Sequence, residues 1–515
     1  MRGPARRAHS RRGRNASGAR GLPPRLLCCA LLLSCWPGED SRAADRLAAS
    51  YLQHCAACHG ADLKGGGRAG TALLGVELAH GASMDDIDGS IARLPAHRGA
   101  PGEPALLDAQ ARHGIAFYVA ERRAERLSAK FKLGAPVVVP AGVIASERHA
   151  FRVEEVTAGL DPRPFSLQPL PDGRILVSEK TRGLRVVGPG GEVSAYIEGI
   201  PGAHADAQKS GWGHGWLLDV ALHPEYADNG WIYLHHTKRC GDCTDAPKSF
   251  NRVVRGRIRA GRWVDEQEIW YPGDTYFSAM PDIGAGGRLA FDRDGYLFFS
   301  VGIKGRGEYD GADDLGKPWG KVHRLHADGR VPRDNPFVSS AGALASIWTY
   351  GHRNPQGLEY APHSATLWST EMGPRGGDEL NRLLPGRDYG WPRHSLGLNY
   401  DGTPLRPGVP AGGAAPRQYE QPVIDFTPAP ALSSFIVYAG SRFPRWRGDL
   451  LVGSLKGASL YRLELDAHGR HVHTEVLLQS LARIRDIESG PDGAIYLLLE
   501  HPGGGRILRL VPAGD

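Results

Sequence analysis

From Phe151 onward, a short polar turn followed by an apolar strand recurs six times along the chain. The units are "PDGRILVSEK" at Pro171, "DNGWIYLHH" at Asp228, "DRDGYLFFSVG" at Asp292, "SATLWSTE" at Ser364, "RGDLLVGSL" at Arg447 and "PDGAIYLLLE" at Pro491. Gly, Asp and Pro stop one strand, and Val, Ile, Leu, Tyr and Trp begin the next. Long amphipathic helices are absent from this region. Six such units at intervals of roughly forty to eighty residues predict a mainly β fold, a six-bladed β-propeller with long functional loops. A pair of β-sandwiches is the rival, and it accounts for the strands but not for the recurrence.

The remainder of the chain reads differently. The first 42 residues carry nine Arg against Glu39 and Asp40, and the apolar run Leu26–Trp36 is too short for a permanent membrane span. Residues 1–42 are read as a signal peptide for export to the periplasm. The run ends "LLLSC", which resembles a lipoprotein processing site that would anchor Cys35 by lipid; the alternative is cleavage near "SRAAD". Removing the leader's +7 from the formal +6 leaves a mature chain near −1, so nucleic acid is not an implied partner. A chain of 515 residues exceeds one ordinary core, and at least two domains are expected.

Residues 43–126 have helical periodicity, from "ADRLAASYLQHC" to "PALLDAQARHGIAFYVAERRAERL". Residues 127–150, including "KFKLGAPVVVPAGVIA", read as a linker, and 151–515 as the propeller. Within the helical unit, "QHCAACHGADLKGG" places Cys55, Cys58 and His59 in the Cys-x-x-Cys-His spacing that tethers haem c: two thiols form thioethers and the adjacent imidazole reaches the iron. The unit resembles a small all-α class I cytochrome c. Such proteins carry a distal Met-Pro about forty residues on, where this chain has Leu94 in "RLPAHRG". His97, Met84 or an open sixth position are the alternatives for the distal side. Cys240 and Cys243 in "RCGDCTD" are expected to form a small disulfide or to remain two thiols, since further zinc ligands are lacking nearby.

Five blocks occur in order: "IWTYGHRNPQGLEY", "TEMGPRGGDELNRL", "GRDYGWPR", "VGSLKGASLYRLEL" and "LARIRDIESGPDGAIYLL". Together with "LLDVALHPEYADNGWIYL" they resemble the soluble PQQ-dependent glucose and aldose sugar dehydrogenases, also called glucose/sorbosone dehydrogenases, over about Phe151 to Pro512. An orthoquinone with three carboxylates needs several converging cations, preferably Arg. By the resemblance, Arg353, Lys456, Arg483 and Arg485 match the quinone contacts, and Asn354 matches an amide near the reactive carbonyl. Gly373 and Pro374 match carbonyl donors to a calcium that bridges protein and quinone, and Glu379 and Tyr389 match residues around a structural calcium. The ion would act as a Lewis acid on the quinone.

The resemblance breaks at the general base. The family places a His four residues before the Arg of a "GGRLAF"-type block; here that position, counted from Arg288, is Gly284. The acid expected after the "SVG" strand is Ile303, and the Gln of "GQGGLLDVALHP" is His214. Three outcomes remain open: His214 replaces the base, Asp282 or another loop residue does, or the propeller does not oxidise sugars. The resulting expectation is a periplasmic quinohaemoprotein that oxidises a sugar, alcohol or aldehyde and passes electrons through its own haem to a respiratory acceptor. A catalytically silent propeller carrying an electron-transfer cytochrome is the alternative. A membrane is involved only through the lipid anchor.

Overall fold

The computed structural model describes residues 40–66, 71–93, 107–205, 213–244, 246–304, 311–405 and 418–514, with side chains from Arg46 onward. The leader with Cys35, and also Leu94 and His97, lie outside the described residues. Beyond the helical unit the chain forms six antiparallel sheets arranged as blades around one axis, and the two-sandwich alternative is excluded. Their innermost strands are Pro164–Pro169, Leu217–Leu222, Gly286–Phe291, Pro355–Ala361, Leu432–Val437 and Arg483–Ser489, each packed against the next around the ring. We number the blades one to six in that order.

The six turn-strand units of the sequence are the second strands of the six blades: Ile175–Glu179, Ile232–Arg239, Tyr296–Val301, Thr366–Glu371, Leu450–Ser454 and Ile495–Glu500. They carry near-continuous apolar runs rather than strict alternation because each is covered on both faces by neighbouring blades; Ile175–Glu179 and Leu450–Ser454 are buried throughout. The turns before them reverse at positive φ, with Gly173, Gly230, Gly295, Gly448 and Gly493 in five blades and Ala365 in the fourth.

Each inner strand also shifts register against its second strand near its first residues, between Pro164 and Ser166, Leu217 and Val220, Gly286 and Leu289, Pro355 and Gly357, Leu432 and Phe435, and Ile484 and Asp486. An extra residue re-aims side chains at a strand end. Six such shifts ring one mouth of the propeller.

Blade one has three strands. Blade six is completed from the other end of the chain: Ala150–Leu160 pairs with Gly505–Pro512, and Ile144–Ala145 adds a fifth strand. Ile144 lies inside the segment read as linker. That segment is pinned to the propeller, since Val137, Val139 and Ile144 pack on the core of blades five and six, and the His501 ring bonds the Ala135 carbonyl at 2.8 Å.

The helical unit comprises α1 (Asp40–His54), α2 (Ala56–His59), α3 (Met84–Arg93) and α4 (Ala109–Leu127). Asp108 caps α4 by accepting from the Ala111 N–H at 2.7 Å. Leu47, Tyr51, Ile87, Ile115 and Phe117 form its core, which a propeller residue, Leu398, completes. Beside Leu398, Arg375 forms a two-point ion pair with Glu121 of α4, at 2.6 and 3.3 Å. The Phe117 ring lies against Gly376, whose φ is +84° and where a Cβ would come within 2.7 Å of that ring. No helix among the described residues is long and apolar enough to cross a membrane.

Arg288 of blade three ties the inner ring together. Its guanidinium reaches Asp486 of blade six at 2.7 Å and Asp219 of blade two at 3.4 Å, and donates to the Gln356, Phe165 and Arg485 carbonyls. Removing it leaves two buried carboxylates uncompensated. Arg288→Leu is therefore expected to cost about 3–5 kcal/mol, read as a lowered urea midpoint; an unchanged midpoint would contradict this role.

Candidate functional site

The propeller residues matched to the quinone contacts sit where an inner strand begins or where its antiparallel neighbour ends. Both positions face the same mouth. Arg483 and Arg485 open the inner strand of blade six, and Arg353 and Asn354 immediately precede that of blade four. Gly373 and Lys456 follow second strands, in blades four and five. The packing of inner strands around the ring thus brings together residues separated by more than a hundred positions.

Three cations converge on Glu500 at the end of a second strand. Arg485 binds its carboxylate at 2.6 and 2.8 Å, Lys180 at 3.5 Å and Arg483 at 3.6 Å. Burial alone would raise the Glu500 pKa, yet Arg485, Lys180 and Arg483 hold it far below the usual carboxylate range. Burial, helped by the Arg485 charge, brings the Lys180 ammonium down to about 7. Lys180 also lies 5.1 Å from the Trp216 ring and 5.8 Å from the Phe165 ring. The Trp216 indole N–H and the Thr181 hydroxyl are buried without a partner. Three cations against one carboxylate, beside orphaned polar groups, fit an added polyanionic ligand. Lys180 is absent from the sequence-derived set: "SEKTRG" reads only as a strand end. Lys456 is exposed, close enough to Glu125 of α4 for its charge to lower that carboxyl's pKa, which burial raises.

The opposite wall is built on a tight turn. The Arg353 guanidinium donates to the Gly373 carbonyl at 2.7 Å and to the Met372 carbonyl at 3.2 Å, and lies 5.3 Å from the Trp391 ring. A cation therefore already stands on one of the two carbonyls matched to calcium, Gly373 and Pro374. Asn354 is fixed: its carbonyl accepts from Gly286 N–H at 3.2 Å and Gln356 at 3.0 Å, and its amide donates to the Ile283 carbonyl at 3.3 Å. Asp378 receives the Gly373 N–H at 2.9 Å and that of Leu432 at 2.8 Å, and burial lifts its carboxyl to about 7.

Glu371 and Glu379 are cross-strand partners. Burial, and then Glu371, drives the Glu379 pKa well up. Glu371 is already engaged, accepting the Arg353 N–H on one oxygen and facing His352 Nδ1 at 2.8 Å on the other, while Glu379 accepts from the Asn381 amide at 2.9 Å. The Tyr389 hydroxyl donates to the Arg382 carbonyl at 2.6 Å and accepts the Leu384 N–H at 2.9 Å, so it is spent on the main chain of its own blade.

At the position matched to the base, a Cβ on Gly284 would meet Ile303 at 3.3 Å and Met280 at 3.4 Å. That position opens onto apolar side chains. Asp282, considered as a replacement base, is instead saturated. It is 2 % exposed and accepts from Gly215 N–H at 2.7 Å, Trp216 N–H at 3.1 Å, the Thr237 hydroxyl at 2.5 Å, Ser249 at 2.7 Å and Lys304 at 2.7 Å. Against the upward push of burial, Lys304 and these hydrogen bonds keep its pKa lowered. His214 is half-buried at the edge of this network, its Nδ1 2.9 Å from the Ser249 hydroxyl.

In the helical unit Cys55 and Cys58 are free thiols beside His59. His59 Nδ1 lies 3.0 Å from the Thr71 carbonyl, which can only accept, so the ring is oriented as the tautomer with its lone pair on Nε2. That is the arrangement expected of a metal-bound imidazole. Met84 is 8 % exposed and packs in the helical core. Cys240 and Cys243 form the short disulfide.

The glucose/sorbosone dehydrogenase family model matches residues 161–509. The chain is 34% identical to the aldose sugar dehydrogenase YliI of Escherichia coli K12, over 73% of this chain and 97% of that protein. It is 28% identical to quinoprotein glucose dehydrogenase B of Acinetobacter calcoaceticus, over 66% of this chain and 84% of that one. A crystal structure of a glucose dehydrogenase, 37% identical, superposes with a TM-score of 0.62, covering 70% of this chain and 99% of that chain. The family match falls on the propeller.

Burial, and after it the Lys304 charge, lowers the His214 pKa despite the opposing Asp282. The imidazole is consequently neutral at pH 7. An NMR titration, with His214→Gln to assign the resonance, is expected to give a midpoint below the ordinary 6.5 of histidine; a midpoint above it would contradict the burial described here.

Proposed function

Because the chain belongs to the glucose/sorbosone dehydrogenase family, we propose that it is an exported quinohaemoprotein that oxidises a sugar or a related alcohol or aldehyde. The observation that carries this reading is the convergence of Lys180, Arg483 and Arg485 beside the partnerless indole N–H of Trp216. A silent site has no evident need to keep three cations at one partly buried carboxylate.

Lys180, Arg483, Arg485 and Lys456 would hold the carboxylates of PQQ, with Asn354 at its reactive edge. The Pro374 carbonyl would hold calcium, joined by the Gly373 carbonyl once the Arg353 guanidinium that now donates to it turns aside, and Glu379 and the Tyr389 main chain would serve the structural ion. Bound there, the quinone supplies a two-electron acceptor polarised by calcium, and haem on Cys55 and Cys58 supplies a one-electron relay. His59 is the proximal ligand, and His97 remains the proposed distal one. On the protein side, neutral His214 takes the proton of the substrate hydroxyl. Phe165, Trp216, Leu218 and Ala285 form an apolar cluster beside Lys180 that keeps bulk water from the cations. Electrons leave to a respiratory acceptor in the periplasm, with Cys35 as the optional lipid anchor.

The apolar surroundings of Gly284 favour a second reading, a propeller that binds quinone without oxidising sugars and serves as a module on an electron-transfer cytochrome. Calcium-dependent PQQ binding, measured by calorimetry, followed by dye reduction with sugars, alcohols and aldehydes, separates the two. Lys180→Met and Arg485→Met are each expected to weaken binding at least about tenfold, the scale of one charge-assisted hydrogen bond. Arg353→Ala is expected to lower substrate-driven reduction of the haem α-band. Tight binding without turnover across the panel would establish the second reading, and no calcium-dependent binding would overturn both.

A further inference from the structure

We propose that Ser249, fixed by the Asp282–Lys304 ion pair, is a positioning residue that holds His214 as its Nδ1–H tautomer and leaves Nε2 to accept the substrate's hydroxyl proton. The inference deepens the sugar-oxidising reading and rests on it. The direction of every hydrogen bond in the cluster follows from the chemistry of its members. Ser249 Oγ lies 2.7 Å from Asp282 Oδ1, 3.0 Å from Lys304 Nζ and 2.9 Å from His214 Nδ1. A hydroxyl has one proton to give and two lone pairs. Burial pulls the Lys304 pKa down while the charge and hydrogen bond of Asp282 hold it up. Its Nζ faces three acceptors, Ser249, Met280 and Asp282, which takes the three N–H groups of an ammonium, and an ammonium can only donate while an ionised carboxylate can only accept. The single Ser249 proton therefore goes to Asp282, one lone pair takes Lys304, and the other is left for a donor on the imidazole. Nδ1 must be that donor.

The cluster is rigid enough to impose this choice. Ser249 and Lys304 are fully buried and Asp282 nearly so. Lys304 has a third fixed partner in the Met280 carbonyl. Asp282 also binds the N–H groups of Gly215 and Trp216, which directly follow His214, so the histidine's backbone and its ring are both referred to one carboxylate. Arg239 is the further cation bearing on the ring.

Asp282 and Lys304 come from the two segments in which the family pattern is lost. Asp282 stands two residues before Gly284, the position matched to the base, and Lys304 directly follows Ile303, the position matched to the acid. The pair that replaces those groups does not act on substrate; it is buried and spent on orienting an imidazole from the neighbouring blade. In the step inferred, the substrate O–H bond breaks, its proton passes to His214 Nε2, and the cationic imidazolium keeps its Nδ1–H on Ser249. The C–H bond on the carbon bearing that oxygen would break as C=O forms, its hydride going to the quinone as the two-electron oxidant.

The test is a two-bond ¹H–¹⁵N spectrum of histidine-labelled full-length protein, with His214→Gln to assign the ring, alongside dye-coupled turnover. The wild type is expected to show His214 protonated at Nδ1. Ser249→Ala is expected to release the ring to the Nε2–H form that predominates in water, and to lower kcat about tenfold or more with KM within about twofold, while Ser249→Thr, which keeps the hydroxyl, restores both readouts. A wild-type ring protonated at Nε2, or a Ser249→Ala ring unchanged in tautomer, overturns the proposal whatever the activity. Full turnover in His214→Gln overturns it and leaves the sugar-oxidising reading standing. Absence of wild-type turnover across the substrate panel removes that reading, and the base assignment with it.

Discussion

One guanidinium at the axis carries the geometry of the mouth. Arg288 is 3 % exposed and engages four other blades from the third. A charge removed from water in this way is tolerable only if every donor is met, and the partners that meet it are inner-strand carbonyls and two carboxylates. The same contacts index the site. Arg288 holds the Arg485 carbonyl while the Arg485 side chain reaches Glu500, and it holds the Gln356 carbonyl while the Gln356 side chain bridges Asn354 and Arg485 at 3.0 and 3.1 Å. The cation belt and the amide wall are two ends of one hydrogen-bonded lattice.

The blade count was legible because each second strand is announced locally, by a turn that needs positive φ and by an apolar run covered on both faces. The register shifts and the closure of blade six were not, since the first depend on twist within a sheet and the second on pairing between opposite chain ends. Arg353, Asn354, Arg483 and Arg485 stood out because their motifs surround them. Lys180 did not, because nothing in "SEKTRG" indicates that Glu500 lies opposite. Asp282 in "MPDIGAGG" reads only as an alternative base. Its five donors come from residues 215, 216, 237, 249 and 304, which only the packed blades bring to one point.

The turn from Gly373 to Asp378 serves two structures at once. One side presents the Gly373 carbonyl to Arg353; the other presents Gly376 to Phe117 and Arg375 to Glu121. A Cβ at Gly373 would fall 2.2 Å from the Gly376 carbonyl oxygen, so the turn closes only without one. Motion of the helical unit and motion of the candidate cation site are mechanically joined through these six residues.

The strand that completes blade six pairs residues lying 351 and 355 positions apart, Glu155 with Arg506 and Glu154 with Arg509. Loop closure over such a separation comes late. A chain released from its N-terminus, at synthesis or on export, presents the helical unit and the first five blades while the sixth still lacks its C-terminal half. Until Gly505–Pro512 is released the ring stays open, and Arg485 and Glu500 have no settled place beside Lys180. The helical unit finds its packing partners Arg375 and Leu398 before the sixth blade is made, whereas the mouth closes at a single late event, the arrival of the last strand.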